Sequence, residues 1–142
     1  ELNTGLASLK GLTIPKVRVD ATHVYYVYGL TLDVDALGVK RDRIIEALTA
    51  EGITSLTAGY QNLHMLPMFR NKIAYGTKGF PWSSSYCTSD VIYGPGLCPE
   101  AERLHNETFL GIGLCMHELP TEDVEKIITI FQKVWANIDE IR

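Results

Sequence analysis

The chain has 142 residues, 46% of them hydrophobic and 21% charged, a balance that suits one globular domain with a buried core and excludes disorder. No run approaches the ~20 apolar residues of a membrane span, and a net charge of −4 speaks against a nucleic-acid binder driven by bulk positive charge. Three cysteines (Cys87, Cys98, Cys115) are too few and odd in number for a disulfide framework, and with His23, His64, His105 and His117 they lack zinc-site spacing. Cys115 and His117 share a strand face without a second pair nearby. We expect no metal and a reducing, cytoplasmic setting. The Asn106-Glu107-Thr108 triplet is a frequent chance match to a glycosylation signal.

Residues 1–10 place Leu2, Leu6 and Leu9 at helical spacing, with Gly11 as the stop. They read as the end of a helix, which suggests a piece of something longer. Ile14-Pro15 opens an extended connection. Residues 23–32 are β-branched and aromatic, the composition of a central strand headed by His23 and Tyr25, both read as packing residues. Residues 39–51 form a helix with Ile44, Ile45 and Leu48 on its apolar stripe and Gly52 as its stop. A short strand over 53–56 follows. Residues 58–98 are long, irregular and rich in Gly, Pro, Tyr and Ser, and loops of that length inside a domain are usually functional or disordered. Their aromatics, Tyr75, Phe80, Trp82, Tyr86 and Tyr93, argue against disorder and call for something to pack on.

Pro99 starts a short helix at the position where its missing N–H costs nothing. Residues 109–116 are a second buried strand with two glycines, and Cys98 and Cys115 read as small buried hydrophobes. Thr121 is placed to cap the last helix, whose stripe of Val124, Ile127, Ile128, Phe131, Val134, Trp135 and Ile138 is the strongest periodic signal in the chain. We expect that helix to lie flat on a sheet. The fold class is α+β: a small antiparallel or mixed sheet of two or three strands, with helices on one face.

Three collinear segments carry a resemblance. The first is His23-Val24-Tyr25-Tyr26-Val27-Tyr28. The second is Ala50-Glu51-Gly52-Ile53, followed by Ala58-Gly59-Tyr60-Gln61-Asn62-Leu63-His64-Met65-Leu66-Pro67-Met68-Phe69. The third is Cys98-Pro99-Glu100-Ala101-Glu102-Arg103-Leu104, leading through Phe109-Leu110 into Leu119-Pro120-Thr121-Glu122-Asp123-Val124. Together they resemble the C-terminal small domain of the DegT/DnrJ/EryC1/StrS family, pyridoxal-phosphate aminotransferases of fold type I that act on keto-sugars and keto-cyclitols. The resemblance implies that residues 1–142 are that one domain, with 1–11 the end of the interdomain helix and 58–98 an active-site or interface loop. It implies pyridoxal 5'-phosphate as cofactor of the parent, held mostly by a missing large domain that carries the Schiff-base lysine. None of Lys10, Lys16, Lys40, Lys72, Lys78, Lys126 and Lys133 sits in the family's lysine context, so the chain alone is expected to be inactive.

The same resemblance implies an amino-acid donor, a sugar or nucleotide-sugar acceptor and a homodimeric parent, with no nucleic-acid or membrane partner. Tyr60 and His64 are then candidates to line the substrate pocket through hydroxyl and imidazole hydrogen bonds. Gly59 stands where family members often carry a histidine that reaches the active site, and Gly59-Tyr60 is closer to members acting on cyclitols and 3-keto-sugars. Trp82 and Tyr86, with Tyr93, suit stacking on a sugar or nucleotide, or else a subunit interface. Arg70, Lys72 and Lys78 could meet a phosphate, though such clusters are more often a solvated face. Two rivals remain: a sugar dehydratase of the same fold, with histidine in place of the lysine, and a free-standing interaction module.

Overall fold

Apolar side chains at every second position of residues 28–32, and again at Leu110 and Ile112, leave a face that has to be covered, and the chain covers it with helices. In the computed structural model, which describes residues 1–88, 90–115 and 118–142, the chain divides into two units, Glu1–Gly59 with Asn106–Arg142, and Tyr60–His105.

The first unit holds a four-stranded sheet of β1 (Leu12–Thr13), β2 (Tyr28–Leu32), β3 (Leu56–Thr57) and β4 (Phe109–Ile112), in the order β1-β2-β4-β3. All neighbours are antiparallel. The register sets Leu30 opposite Leu110 and Tyr28 opposite Ile112, all four essentially without exposure. Helices α1 (Leu2–Leu6), α3 (Arg41–Ala50) and α6 (Thr121–Ala136) bury Leu6, Ile44, Leu48 and Phe131 in the same core. On the other side of the sheet Gly29 faces Gly111, and the Phe109 ring passes close to both. The α+β class stands, with four strands instead of two or three: the pair Leu12–Thr13, just ahead of the extended connection expected from Ile14-Pro15, joins β2 as an edge.

Several boundaries differ from the sequence reading, each for a local reason. The strand expected over 23–32 begins at Tyr28, because Tyr25 has a left-handed backbone (φ 47°) that no strand ladder accepts. The Tyr25 amide donates to His23 Nδ1 at 2.8 Å and the two rings stack 4.2 Å apart, so His23 and Tyr25 form a turn ahead of the strand. Ile53, expected in a strand, closes the end of α3: its amide donates to the Leu48 carbonyl at 3.0 Å beyond Gly52 (φ 115°), and its side chain is buried. The strand expected over 109–116 ends at Ile112, and His117 lies outside the described residues.

Thr121 is the first residue of α6 and makes no side-chain cap; Pro120 precedes it as the cap residue, and Glu122 and Asp123 occupy the positive first turn. Helix α6 turns its stripe toward the same core as the sheet residues Leu30, Leu110 and Ile112. It packs beside α1 and α3 and reaches the core through Phe131 and Val134. Gly5 makes this possible: a Cβ there would stand 2.6 Å from Ile128 Cδ1. Helix α2 (Val34–Leu37) went unforeseen, although Asp33 caps it by accepting the Ala36 amide at 3.0 Å and Gly38 (φ 66°) ends it. Cys98 and Cys115 are exposed rather than buried, and Cys87 is half-buried.

The described residues of the second unit have little regular structure: a 3₁₀ turn (Leu63–Met65), α4 (Pro67–Arg70), an isolated bridge between Tyr75 and Phe80, and α5 (Pro99–Arg103).

Candidate functional site

Within the second unit, Pro67 at the first turn of α4 and the 3₁₀ turn before it set His64 inside, at 7% exposure. Its Nε2 donates to Glu102 Oε1 at 2.8 Å. Glu102, on α5, also accepts the Gly96 amide at 2.8 and 3.0 Å and the Cys98 amide at 3.3 Å. The Gly96 amide, followed by the His64 ring, holds the Glu102 carboxyl below the usual carboxylate range. An ionised carboxylate that spends its acceptors this way is a tether and an orienting partner, not a proton donor at neutral pH. It leaves Nδ1 as the ring nitrogen of His64 through which a ligand could be met.

Trp82 enters a different group. Its ring meets Phe69 edge-on at 5.9 Å and Tyr93 at 6.1 Å, and Phe69 lies 5.4 Å from Tyr93. Trp82 Nε1 donates to the Tyr93 hydroxyl at 3.3 Å, which satisfies its one polar atom. Tyr60 and Tyr86 are exposed, at 70% and 93%. Of the four candidate substrate residues, then, two are seated in bonded or stacked groups and two stand on the surface. Tyr75 and Phe80, paired across their bridge at 6.1 Å, are also exposed. Of the basic trio, Arg70 and Lys78 sit in the same stretch, and Lys72 has a left-handed backbone (φ 52°).

Sequence reasoning missed Glu102 and Phe69 as parts of these groups. The signal for Glu102 was an acidic residue in the first turn of a proline-started helix, beside a glycine-rich turn that has amides to spare. It also missed Arg41, 7% exposed at the start of α3, whose Nη1 donates to the Ala58 carbonyl at 2.9 Å. Arg41 lines a cleft of about 620 Å³ with Asp35, Lys40, Asp42, Asn106 and Glu107. Among the described residues no group of three or more His, Cys, Asp or Glu side chains could hold a metal ion, and no helix is long and apolar enough to cross a membrane.

The family model of the DegT/DnrJ/EryC1/StrS aminotransferase family matches residues 1–100, well over half of the chain. The chain belongs to this family. Its fold is similar to that of the aminotransferase TlmJ from Streptoalloteichus hindustanus, with a TM-score of 0.63 and 24% identity, over 97% of this chain and 30% of TlmJ. Among curated proteins, the spore coat polysaccharide biosynthesis protein SpsC of Bacillus subtilis is 28% identical over 83 residues, 58% of this chain and 21% of SpsC. The uncharacterized protein MJ1066 of Methanocaldococcus jannaschii is 28% identical over 79 residues, 56% of this chain and 20% of that protein. The chain thus spans about a fifth of the length of the curated relatives it matches.

Proposed function

We propose that residues 1–142 are the C-terminal small domain of a pyridoxal-phosphate-dependent aminotransferase that acts on a keto-sugar or keto-cyclitol in amino-sugar biosynthesis. One observation supports this beyond family membership. Among the described residues, every exposed large hydrophobic side chain falls in one of two stretches. Val17, Val19, Val24 and Tyr26 form one; Tyr60, Leu63, Met68, Ile73, Tyr75, Phe80, Tyr86, Ile92 and Leu97 form the other. Scattered apolar residues on a surface need no explanation, but their confinement to two irregular stretches is what a surface shaped for another body presents. The similarity to a spore coat polysaccharide biosynthesis protein supports a sugar as the acceptor.

In this reading the residue that pyridoxal phosphate needs for its covalent attachment is not among the lysines of this chain, none of which sits in the family's lysine context. Six of its seven lysines are exposed and Lys72 is half-buried, whereas a Schiff-base lysine must shed its proton and is helped by desolvation. No chemical step is assigned to any of them, and the attachment lysine belongs to residues beyond these 142. In this reading the chain's own side chains bind and orient. Tyr60 offers a hydroxyl to a sugar hydroxyl, and His64 offers Nδ1 from a ring that Glu102 holds in place. Trp82 offers a ring face braced by Tyr93 and Phe69, and Tyr86 a second ring for stacking. The interdomain helix ends within 1–11, and 58–98 is the loop that meets substrate or a partner subunit.

The full-length protein, loaded with pyridoxal phosphate and given an amino-acid donor with a panel of keto-sugars and keto-cyclitols, should yield the donor's 2-oxo acid and one aminated acceptor, read by mass spectrometry. Tyr60→Phe should raise KM for the acceptor roughly tenfold with little change in kcat, as expected for loss of one uniform-binding hydrogen bond. Absence of amino transfer to every acceptor in the panel refutes the proposal.

A further inference from the structure

We propose that Arg41 is a positioning residue, which fixes the backbone of Ala58 and Gly59 immediately before Tyr60. The inference rests on the preceding reading, in which Tyr60 touches the acceptor. Arg41 is badly placed for helix stability. It is the first residue of α3, where the helix dipole is positive and disfavours a cation. It is also 7% exposed, although arginine is among the residues least often buried.

What the guanidinium does there is specific. Its Nε donates to Asp42 Oδ1 at 3.0 Å and its Nη2 lies 3.0 Å from the same oxygen, so the neighbouring carboxylate balances the charge. The remaining arm, Nη1, reaches 17 residues along the chain and donates to the Ala58 carbonyl at 2.9 Å. Ala58 is the first residue past β3. On either side of it, Thr57 Oγ1 donates to the Gly59 carbonyl at 3.0 Å and accepts the Gly59 amide at 3.3 Å. Gly59 itself holds φ 126°, a conformation open to glycine and strained for other residues. Two adjoining residues are therefore fastened immediately before Tyr60: Ala58 by a buried cation on its carbonyl, and Gly59 by the Thr57 hydroxyl on its carbonyl and amide. A methionine would fill the volume of Arg41 and bury more apolar surface, but it would leave the Ala58 carbonyl without this donor.

The test compares Arg41→Met, Arg41→Lys and the wild type in the full-length protein, by amide hydrogen exchange and by acceptor kinetics. Loss of a charge-assisted hydrogen bond should speed exchange at the Gly59 amide in Arg41→Met by roughly tenfold or more, while the amides of Leu30 and Leu110 in the core strands change less than about twofold. Arg41→Lys, which keeps one charged donor, should restore most of the protection. KM for the acceptor should rise in Arg41→Met with kcat nearly kept. Equal acceleration at Gly59, Leu30 and Leu110 would reveal a merely structural residue and overturn the inference, as would unchanged exchange at Gly59 or local release with unchanged KM. A wild-type protein without amino transfer rejects the proposed function instead, and the exchange comparison then decides the role of Arg41 by itself.

Discussion

Adding one methyl group to the sheet at Gly111 should cost more than adding one at Gly29, although the two glycines face each other across β2 and β4. A Cβ at Gly111 would stand 2.6 Å from Thr57 Cγ2, 2.7 Å from Val27 Cγ1 and 3.1 Å from Phe109 Cε1. Carbon atoms in contact prefer about 3.5–4.0 Å, so two neighbours must retreat by about 1 Å. Both are β-branched and stiff at χ1, which makes the retreat a backbone matter. Overpacking of this kind costs about 1–3 kcal/mol. Relief of glycine's backbone entropy in a strand returns about 0.5–1 kcal/mol, leaving Gly111→Ala destabilised by up to about 2.5 kcal/mol, and by about 1 kcal/mol at the middle of both ranges. At Gly29 the nearest atom is Phe109 Cε2 at 3.3 Å, the edge of a ring that can tilt, with Cζ at 3.8 Å. There the same entropy gain roughly cancels the crowding, and Gly29→Ala should stay within about 0.5 kcal/mol of wild type. At about 3–4 °C per kcal/mol for a chain of this length, Gly111→Ala should lower Tm by about 4 °C, and by up to about 10 °C at the upper limit, and Gly29→Ala by less than about 2 °C. Circular dichroism melts of the three proteins decide it. A Gly111→Ala protein that melts at or above Gly29→Ala would refute the packing described for this face of the sheet.

Glu102→Gln should loosen the turn around Gly96, because the amide side chain keeps one acceptor oxygen where the carboxylate offers two. A carboxyl whose folded pKa is lowered adds stability above its ordinary 4.5, and that increment fades as pH falls toward the folded value. The wild-type Gly96 amide resonance should therefore move on acidification below about pH 4.5, while in Glu102→Gln it should not; identical titrations would contradict the tether. Tyr28, 1% exposed, donates to Asn3 Oδ1 at 2.6 Å, and burial pushes its hydroxyl up to about 12. A raised folded pKa gives stability that is whole below pH 10 and is lost as pH climbs through about 12. Tyr28→Phe should cost about 1 kcal/mol near neutrality and remove part of the alkaline loss, read as denaturation midpoints from pH 7 to 11.5; an unaltered alkaline profile would count against the buried hydroxyl. Phe131 has no exposure and stacks on Trp135 at 5.7 Å, so Phe131→Ala should cost about 3–5 kcal/mol in urea titrations. A loss below about 1 kcal/mol would place α6 outside the core.

Much of the framework was legible because it is periodic. The stripe on α6 and the shorter one on α3 each repeat at the helical interval, and burying them requires no knowledge of any partner. The collinear motifs carried the family, since spacing along a chain survives without coordinates. The seats of His64 and Trp82 were not legible. The His64 ring depends on Glu102, 38 residues later, and Trp82 on Tyr93, 11 residues later, across a stretch whose glycines and prolines give no period to count. Exposed Cys98 and Cys115, read as buried from their residue type, show the same limit: residue type states a preference, and position in the fold decides it.

By itself the amino-acid order determined the α+β class, the two long helices, the aromatic and glycine-rich character of residues 58–98 and the kinship with the DegT/DnrJ/EryC1/StrS aminotransferase family. Only the folded chain decided that β2 waits for Tyr28 until Tyr25 has turned, that α6 lies beside α1 over Gly5, and that Arg41 holds the carbonyl of Ala58. The physical reason is that hydrophobic periodicity is a property of neighbours along a helix or strand. A buried hydrogen bond between distant residues leaves no such trace, because its cost of desolvation and its gain are both settled where the chain brings donor and acceptor together.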